Sequence, residues 1–137
     1  MRRRVAAARV GRLATVRPNG NPHLVPICFA LLERDRGHVI VSGTDEKPKT
    51  TYALRRLRNI AERPTVTLLV DHYEEEWTRV WWVRADGHGR VIEDGPERER
   101  AVDALREKYE QYEHIGLPGA VLAIDVDRWV GWAYAEG

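Results

Sequence analysis

The sequence predicts a mainly β domain, a six-stranded and mostly antiparallel small barrel with two short helices inserted late in the chain. Three observations lead there. The first β-patterned segments are joined by connections too short for the crossovers that parallel neighbours need. The Asn19-Gly20 pair between two of them is a hairpin signal, because these residue types tolerate the positive φ of a tight turn. Helical periodicity is confined to two stretches, without the strand–helix alternation that builds a parallel sheet.

Taken in order, residues 12–17 form the first strand and residues 23–32 its partner, with Pro26 marking an edge or a bulge because it cannot donate to a ladder. The polar turn 33–37 leads to a third strand at 38–42, so the first three strands read as consecutive hairpins. Residues 51–62 are helical. There Leu54, Leu57 and Ile60/Ala61 recur at spacings of three and four, and Pro64 ends the segment. Residues 65–71, rich in β-branched side chains, make the fourth strand. A long fifth strand runs from Trp77 to Ile92, with a bulge where Gly87 and Gly89 flank His88. The second helix, 96–109, is capped by Asp94 and turns Ala101, Val102, Leu105 and Tyr109 inward. The last strand, 120–127, ends in Arg128-Trp-Val-Gly-Trp132.

Length and composition limit what such a domain does. A chain of 137 residues is a single domain by size and buries roughly 68% of its unfolded surface without staples. Its one cysteine, Cys28, has no intramolecular partner, which favours a reducing compartment. The arginines at 2–4 precede only four apolar residues before Arg9, too few for a signal sequence, and no segment is long enough to cross a bilayer. A soluble, cytoplasmic protein is expected. Its five histidines show no metal-ligand spacing and no Ser-His-Asp arrangement stands out, so no metal site is expected and no catalytic side chain is assigned.

Charge is placed unevenly behind a net value of +1. Residues 47–63 carry six basic side chains against Glu62 alone, while residues 93–113 carry eight acidic ones against four basic. A local basic face on a near-neutral chain suits a compact polyanion better than a nucleic acid. The stretch 39–51 shows where that ligand belongs. An apolar strand ends in Ser42-Gly43-Thr44, and Lys47 and Lys49 follow just before a helix, gathering hydroxyls, backbone N–H groups and positive charge as a phosphate requires.

These segments, in this order, are similar to those of the pyridoxamine 5′-phosphate oxidase-like split-barrel superfamily, within which the chain most resembles the actinobacterial branch dependent on coenzyme F420, a deazaflavin. The resemblance runs through Gly11-Arg-Leu-Ala-Thr-Val16, Asn21-Pro-His-Leu-Val-Pro26, Lys47-Pro-Lys49, Leu57-Arg-Asn59, Leu69-Val-Asp-His-Tyr73, Trp81-Trp-Val-Arg84 and Ala123-Ile-Asp-Val-Asp-Arg-Trp129. It implies a split β-barrel that forms a homodimer, with a flavin or deazaflavin in a groove between subunits. It also implies a phosphate site at Ser42, Gly43, Thr44, Lys47 and Lys49, with Thr50 and Thr51 beside it, and Val25, Pro26, Ile27 and Cys28 near the ring.

Departures from the vitamin oxidases narrow the expectation. Lys47-Pro-Lys49 keeps only the last member of their Ser-Arg-Lys, Trp81-Trp-Val-Arg84 replaces their Arg-Gln-Val-Arg, and their C-terminal Arg/His cluster has no counterpart after Trp132. Pyridoxine phosphate oxidation is therefore not expected. Trp82 offers an indole to a flat heterocycle, and Arg55, Arg56 and Arg58 offer charge to an anionic tail, although helical spacing keeps all three from facing one way. Trp132 adds aromatic area for a partner subunit or its ligand. The expected activity is hydride transfer between deazaflavin and a small organic substrate. The alternatives are FMN in the same fold, a non-enzymatic cofactor carrier, and a nucleic-acid module, which the acidic second helix disfavours.

Overall fold

The computed structural model describes residues 2–35, 37–43, 51–114, 116–117 and 119–134, with backbone alone for 51–54. The elements are α1 (Arg2–Ala7), β1 (Gly11–Val16), β2 (Pro22–Ile27), β3 (Ala30–Arg34), β4 (Gly37–Ser42), α2 (Thr51–Glu62), β5 (Thr65–His72), β6 (Trp81–Ile92), α3 (Pro96–Lys108) and β7 (Val121–Ala133). Short 3-10 turns at Trp77–Arg79 and Glu110–Glu113 complete the described set. No helix among the described residues is long and apolar enough to cross a membrane.

All seven strands lie in one antiparallel sheet of order β2-β1-β5-β6-β7-β4-β3. The two ends of that order are joined by Cys28 and Phe29 alone. Three Cα steps span at most about 11 Å, whereas seven strands laid flat are roughly 29 Å across. The sheet has to curl until its edges approach, and that curl is the barrel. Residues 23–32 are thus two strands on opposite edges instead of one hairpin partner, which raises the strand count from six to seven. Pro26 does lie on an edge strand.

Other departures from the sequence reading are local. The hairpin after β1 puts only Gly20 at positive φ (89°), with its N–H donating to the Arg17 carbonyl at 2.8 Å, so Asn19 stays in ordinary space. Residues 77–79 form a 3-10 turn before β6 begins at Trp81. The N-cap of α3 is Gly95, at φ 94°, instead of Asp94, and α1 is an additional helix. The bulge falls at the Asp86/Gly87 step, where β7 carries one extra residue, Asp127. A Cβ on Gly87 would lie 2.2 Å from the Asp125 carbonyl oxygen, so only glycine lets the two strands close there.

The apolar faces make two cores. One fills the barrel with Leu13, Ile27, Phe29, Ile40, Leu68, Val70, Val83 and Ile124, closed on one side by Ile60 of α2. The other lies beneath α3, where Ala101, Val102, Leu105 and Tyr109 pack on Val39, Val41, Val121 and Ala123. The three α3 residues and Tyr109, which caps the helix, are the inward set read from the sequence.

Candidate cofactor site

A cleft of about 280 Å³ opens where the β2–β3 crossing meets the end of β4, lined by Val10, Pro26, Ile27, Cys28, Ser42, Gly43, Arg56 and Tyr112. The Ser42 hydroxyl donates to the Cys28 carbonyl at 2.7 Å, tying the two backbone segments together. A Cβ on Gly43 would come within 2.7 Å of Leu117, so glycine lets β4 pass close to that loop. The result is a polar notch with an arginine at its rim.

The crossing itself is clamped from α3. Tyr109 accepts a hydrogen bond from the Phe29 N–H at 3.0 Å, and its own proton reaches the carbonyl of Phe29 (2.9 Å) or Arg9 (3.0 Å). Lys108 donates to the Phe29 carbonyl at 2.8 Å, with its ammonium 3.9 Å from the centre of the Phe29 ring. Burial first, and then the Arg9 guanidinium, push the Lys108 ammonium down to about 8. Burial likewise raises the Tyr109 phenol.

On α2, Asn59 is 1% exposed and donates to the Thr15 hydroxyl at 3.0 Å, fixing the helix against β1. Arg55 and Arg56 lie one turn earlier on the Asn59 side, with Arg55 exposed and Arg56 half-buried at the cleft. Arg58 is exposed.

A different surface carries the tryptophans. The outward residues of five neighbouring strands form a face holding Leu24, Ala14, Leu69, Trp82, Val130 and Trp132. Trp82 and Trp132 pair across β6 and β7, and Leu24 and Trp132 are 66% and 46% exposed. Arg12 and Asp71 form an ion pair on it at 2.8 Å. Burial pulls the Asp86 carboxyl up, but bonds from Arg84, Thr67 and Arg128 outweigh it and hold the group below its ordinary value. A hollow of about 480 Å³ on this face runs between Leu24, Leu69, Tyr73 and Trp82.

Of the sequence-predicted candidate residues, the structure brings Pro26, Ile27, Cys28, Ser42, Gly43 and Arg56 together. Val25 packs against the barrel core. Trp82 and Trp132 share the outer face, away from the cleft within one chain. Thr44, Lys47, Lys49 and Thr50 lie outside the described residues. Val10 and Tyr112 escaped the sequence reading, since each reaches the cleft through tertiary packing and neither sits in a polar motif. No group of three or more His, Cys, Asp or Glu among the described residues is placed to hold a metal.

The family model described as pyridoxamine 5′-phosphate oxidase matches residues 1–133. The chain belongs to this family. A 5a,11a-dehydrotetracycline/5a,11a-dehydrooxytetracycline reductase of Streptomyces rimosus is 38% identical over 61 residues, which span 44% of this chain and 39% of the reductase. Among solved structures, a conserved hypothetical protein of Mycobacterium tuberculosis aligns with TM-score 0.74 and 20% identity over 95% of this chain and 80% of its own. A FAD-binding protein of Mesorhizobium loti aligns with TM-score 0.69 and 20% identity over 95% of this chain and 89% of its own. These likenesses establish the split-barrel fold that the motifs implied.

Proposed function

We propose that this family member is an oxidoreductase that uses coenzyme F420 for hydride transfer to or from a small organic substrate, and that it works as a homodimer. The observation that carries the reading is the cleft at Ser42, where a hydroxyl, a close-packed glycine and Arg56 converge at the strand end that the sequence marks for a phosphate. Arg56 brings positive charge and N–H donors to the cleft, the Ser42 proton being held by the Cys28 carbonyl, and Lys47 and Lys49 follow a few residues on in sequence. Family membership and the partial likeness to a reductase support oxidoreductase chemistry.

In this reading Ser42, Gly43, Thr44, Lys47, Lys49 and Thr50 hold the cofactor phosphate, and Val25 to Cys28 border the ring. Trp82 and Trp132 come from the partner subunit, which explains why one chain keeps them apart from the cleft. Deazaflavin, when bound, supplies a two-electron hydride carrier. The chain's own part is to anchor the phosphate, fix the ring's face and exclude water, so no side-chain acid or base is required. Arg55 and Arg58 favour an anionic tail, though exposed pairs contribute only about 0.2–1 kcal/mol each.

Competitive binding tests the assignment. Deazaflavin is expected to outcompete FMN by at least about tenfold, or roughly 1.4 kcal/mol, with the margin shrinking at high salt and in an Arg55→Ala/Arg58→Ala variant. Equal or tighter FMN binding would overturn the cofactor. Light scattering at micromolar concentration is expected to give a dimer, and a monomer would remove the shared site.

A further inference from the structure

Only three of the 22 basic side chains are lysines, and two of them, Lys47 and Lys49, stand in the stretch marked for a phosphate. The third is Lys108, half-buried at the end of α3. A guanidinium stays charged wherever it sits, whereas a buried lysine gives up its proton readily and becomes a nucleophile. In a chain that otherwise uses arginine, Lys108 is thus the one amine set in a packed environment among the described residues. It donates to the Phe29 carbonyl at 2.8 Å, and its Nζ lies 3.9 Å from the centre of the Phe29 ring and 5.3 Å from that of Tyr109. The Tyr109 ring carries a second cation, the exposed Arg9, whose guanidinium carbon is 4.6 Å from the ring centre. Neither cation has a carboxylate partner among the described residues.

We propose that the Lys108 amine is a modification site for CO2, which it takes up as a carbamate whose negative charge Arg9 compensates. The ammonium first releases a proton to water. Its lone pair then forms a bond to the carbon of CO2 as one C–O π pair moves onto oxygen, and a second proton leaves the nitrogen. The product is an N-carboxylate with one N–H, and no oxidant or reductant takes part. What the site must keep and what it lacks select this electrophile. The carbamate N–H still serves the Phe29 carbonyl, whereas a neutral imine formed from an aldehyde would set two acceptors face to face. The carboxylate also supplies the anion that the two cations are without, and uptake turns the charge beside the crossing from positive to negative. Protonation favours the same outcome. With burial and Arg9 bringing the amine down to about 8, about a quarter of it is neutral at pH 7.5, against about one part in a thousand for an ordinary lysine. The other titratable groups facing it are Cys28, at the crossing, and Tyr109, whose phenol burial keeps protonated. The assignment holds whichever cofactor occupies the Ser42 cleft.

The test equilibrates the full chain with carbon-13-labelled CO2 at constant ionic strength, reads the carbamate carbon by NMR, and traps the adduct with triethyloxonium for peptide mass mapping. The trapped ester is expected on Lys108, at least about tenfold more abundant there than on Lys47 or Lys49. At fixed dissolved CO2 the Lys108 adduct is expected to grow at least about tenfold from pH 6.5 to 7.5, because each uptake releases two protons. A Lys47→Arg/Lys49→Arg variant is expected to keep the signal and Lys108→Arg to lose it. In Arg9→Gln, which alters an exposed side chain, the adduct is expected to fall by about threefold, the scale of one exposed charge pair. Because the adduct is mapped in the wild-type chain, a Lys108 variant that fails to fold leaves the test intact. Label confined to the N-terminal amine or to Lys47 and Lys49 overturns the proposal, as does a Lys108 adduct equally abundant in folded Arg9→Gln.

Discussion

Replacing Tyr109 with Phe removes one oxygen and nothing else from the clamp on the β2–β3 crossing. The Phe29 N–H, bonded to that oxygen at 3.0 Å in a buried setting, loses its partner, whereas the Phe29 carbonyl keeps Lys108 at 2.8 Å. The ring is conserved in volume, so no cavity term enters. The cost is that of an orphaned buried donor, about 1–3 kcal/mol. With a urea slope of about 1.5 kcal/mol/M for a small domain, a central value of about 2 kcal/mol lowers the unfolding midpoint by about 1.3 M. Wild type and variant are compared at one protein concentration, because any dimer makes stability concentration-dependent. Tyr134, 58% exposed, is the control, and Tyr134→Phe is expected to stay within about 0.5 kcal/mol. Because Phe29 adjoins Cys28 in the cleft, the Tyr109→Phe variant is also expected to bind cofactor less tightly. A midpoint shift below about 0.3 M would refute the view that Tyr109 holds the crossing.

Three further outcomes are expected. Lys108 binds its proton more weakly in the folded chain (about 8) than at the ordinary lysine value of 10.5, so between those pH values the unfolded chain holds more protons and stability rises with pH. Relative to Lys108→Met, wild type is expected to gain on the order of 2–3 kcal/mol across that window, and a flat difference by urea titration would place the ammonium in water. Gly87→Ala drives a Cβ toward the Asp125 carbonyl, and thermal unfolding is expected to report at least about 1–3 kcal/mol of destabilisation; an unchanged Tm would show that the bulge relaxes freely. Lys49→Ala is expected to weaken cofactor binding by about 1.5–3 kcal/mol with little loss of fold stability, and unchanged affinity by titration would remove Lys49 from the site.

How much the sequence revealed depended on how local each cause was. Helix α2, strand β5 and the inner face of α3 announce themselves through apolar spacing within a dozen residues, and the structure has them within two residues of expectation. The run from His23 to Leu32 hid its break because Cys28 and Phe29 continue an apolar pattern across the switch of sheet edge. Only the strand order exposes it, since β2 and β3 pair with different strands at opposite edges of the sheet. Helix α1 has six residues and one buried side chain, Val5, too few for a period. In the site, Ser42 and Gly43 were legible because small polar residues end an apolar strand. Val10 and Tyr112 were not, because each reaches the cleft only through tertiary packing.

The crossing also explains why the cleft and the barrel's closure are one feature. β2 and β3 occupy opposite ends of the strand order and share no ladder, so the backbone groups of Cys28 and Phe29 need partners from elsewhere. Side chains supply them: Ser42 to the Cys28 carbonyl, Tyr109 to the Phe29 N–H, and Lys108 with Tyr109 to the Phe29 carbonyl. Ladder bonds at that seam would close the barrel and leave no room beside it. Side-chain bonds from β4 and α3 satisfy the same groups while keeping the edges apart. A ligand can then approach the crossing without competing for its backbone hydrogen bonds, and residues 80 positions distant in sequence set the shape of its site.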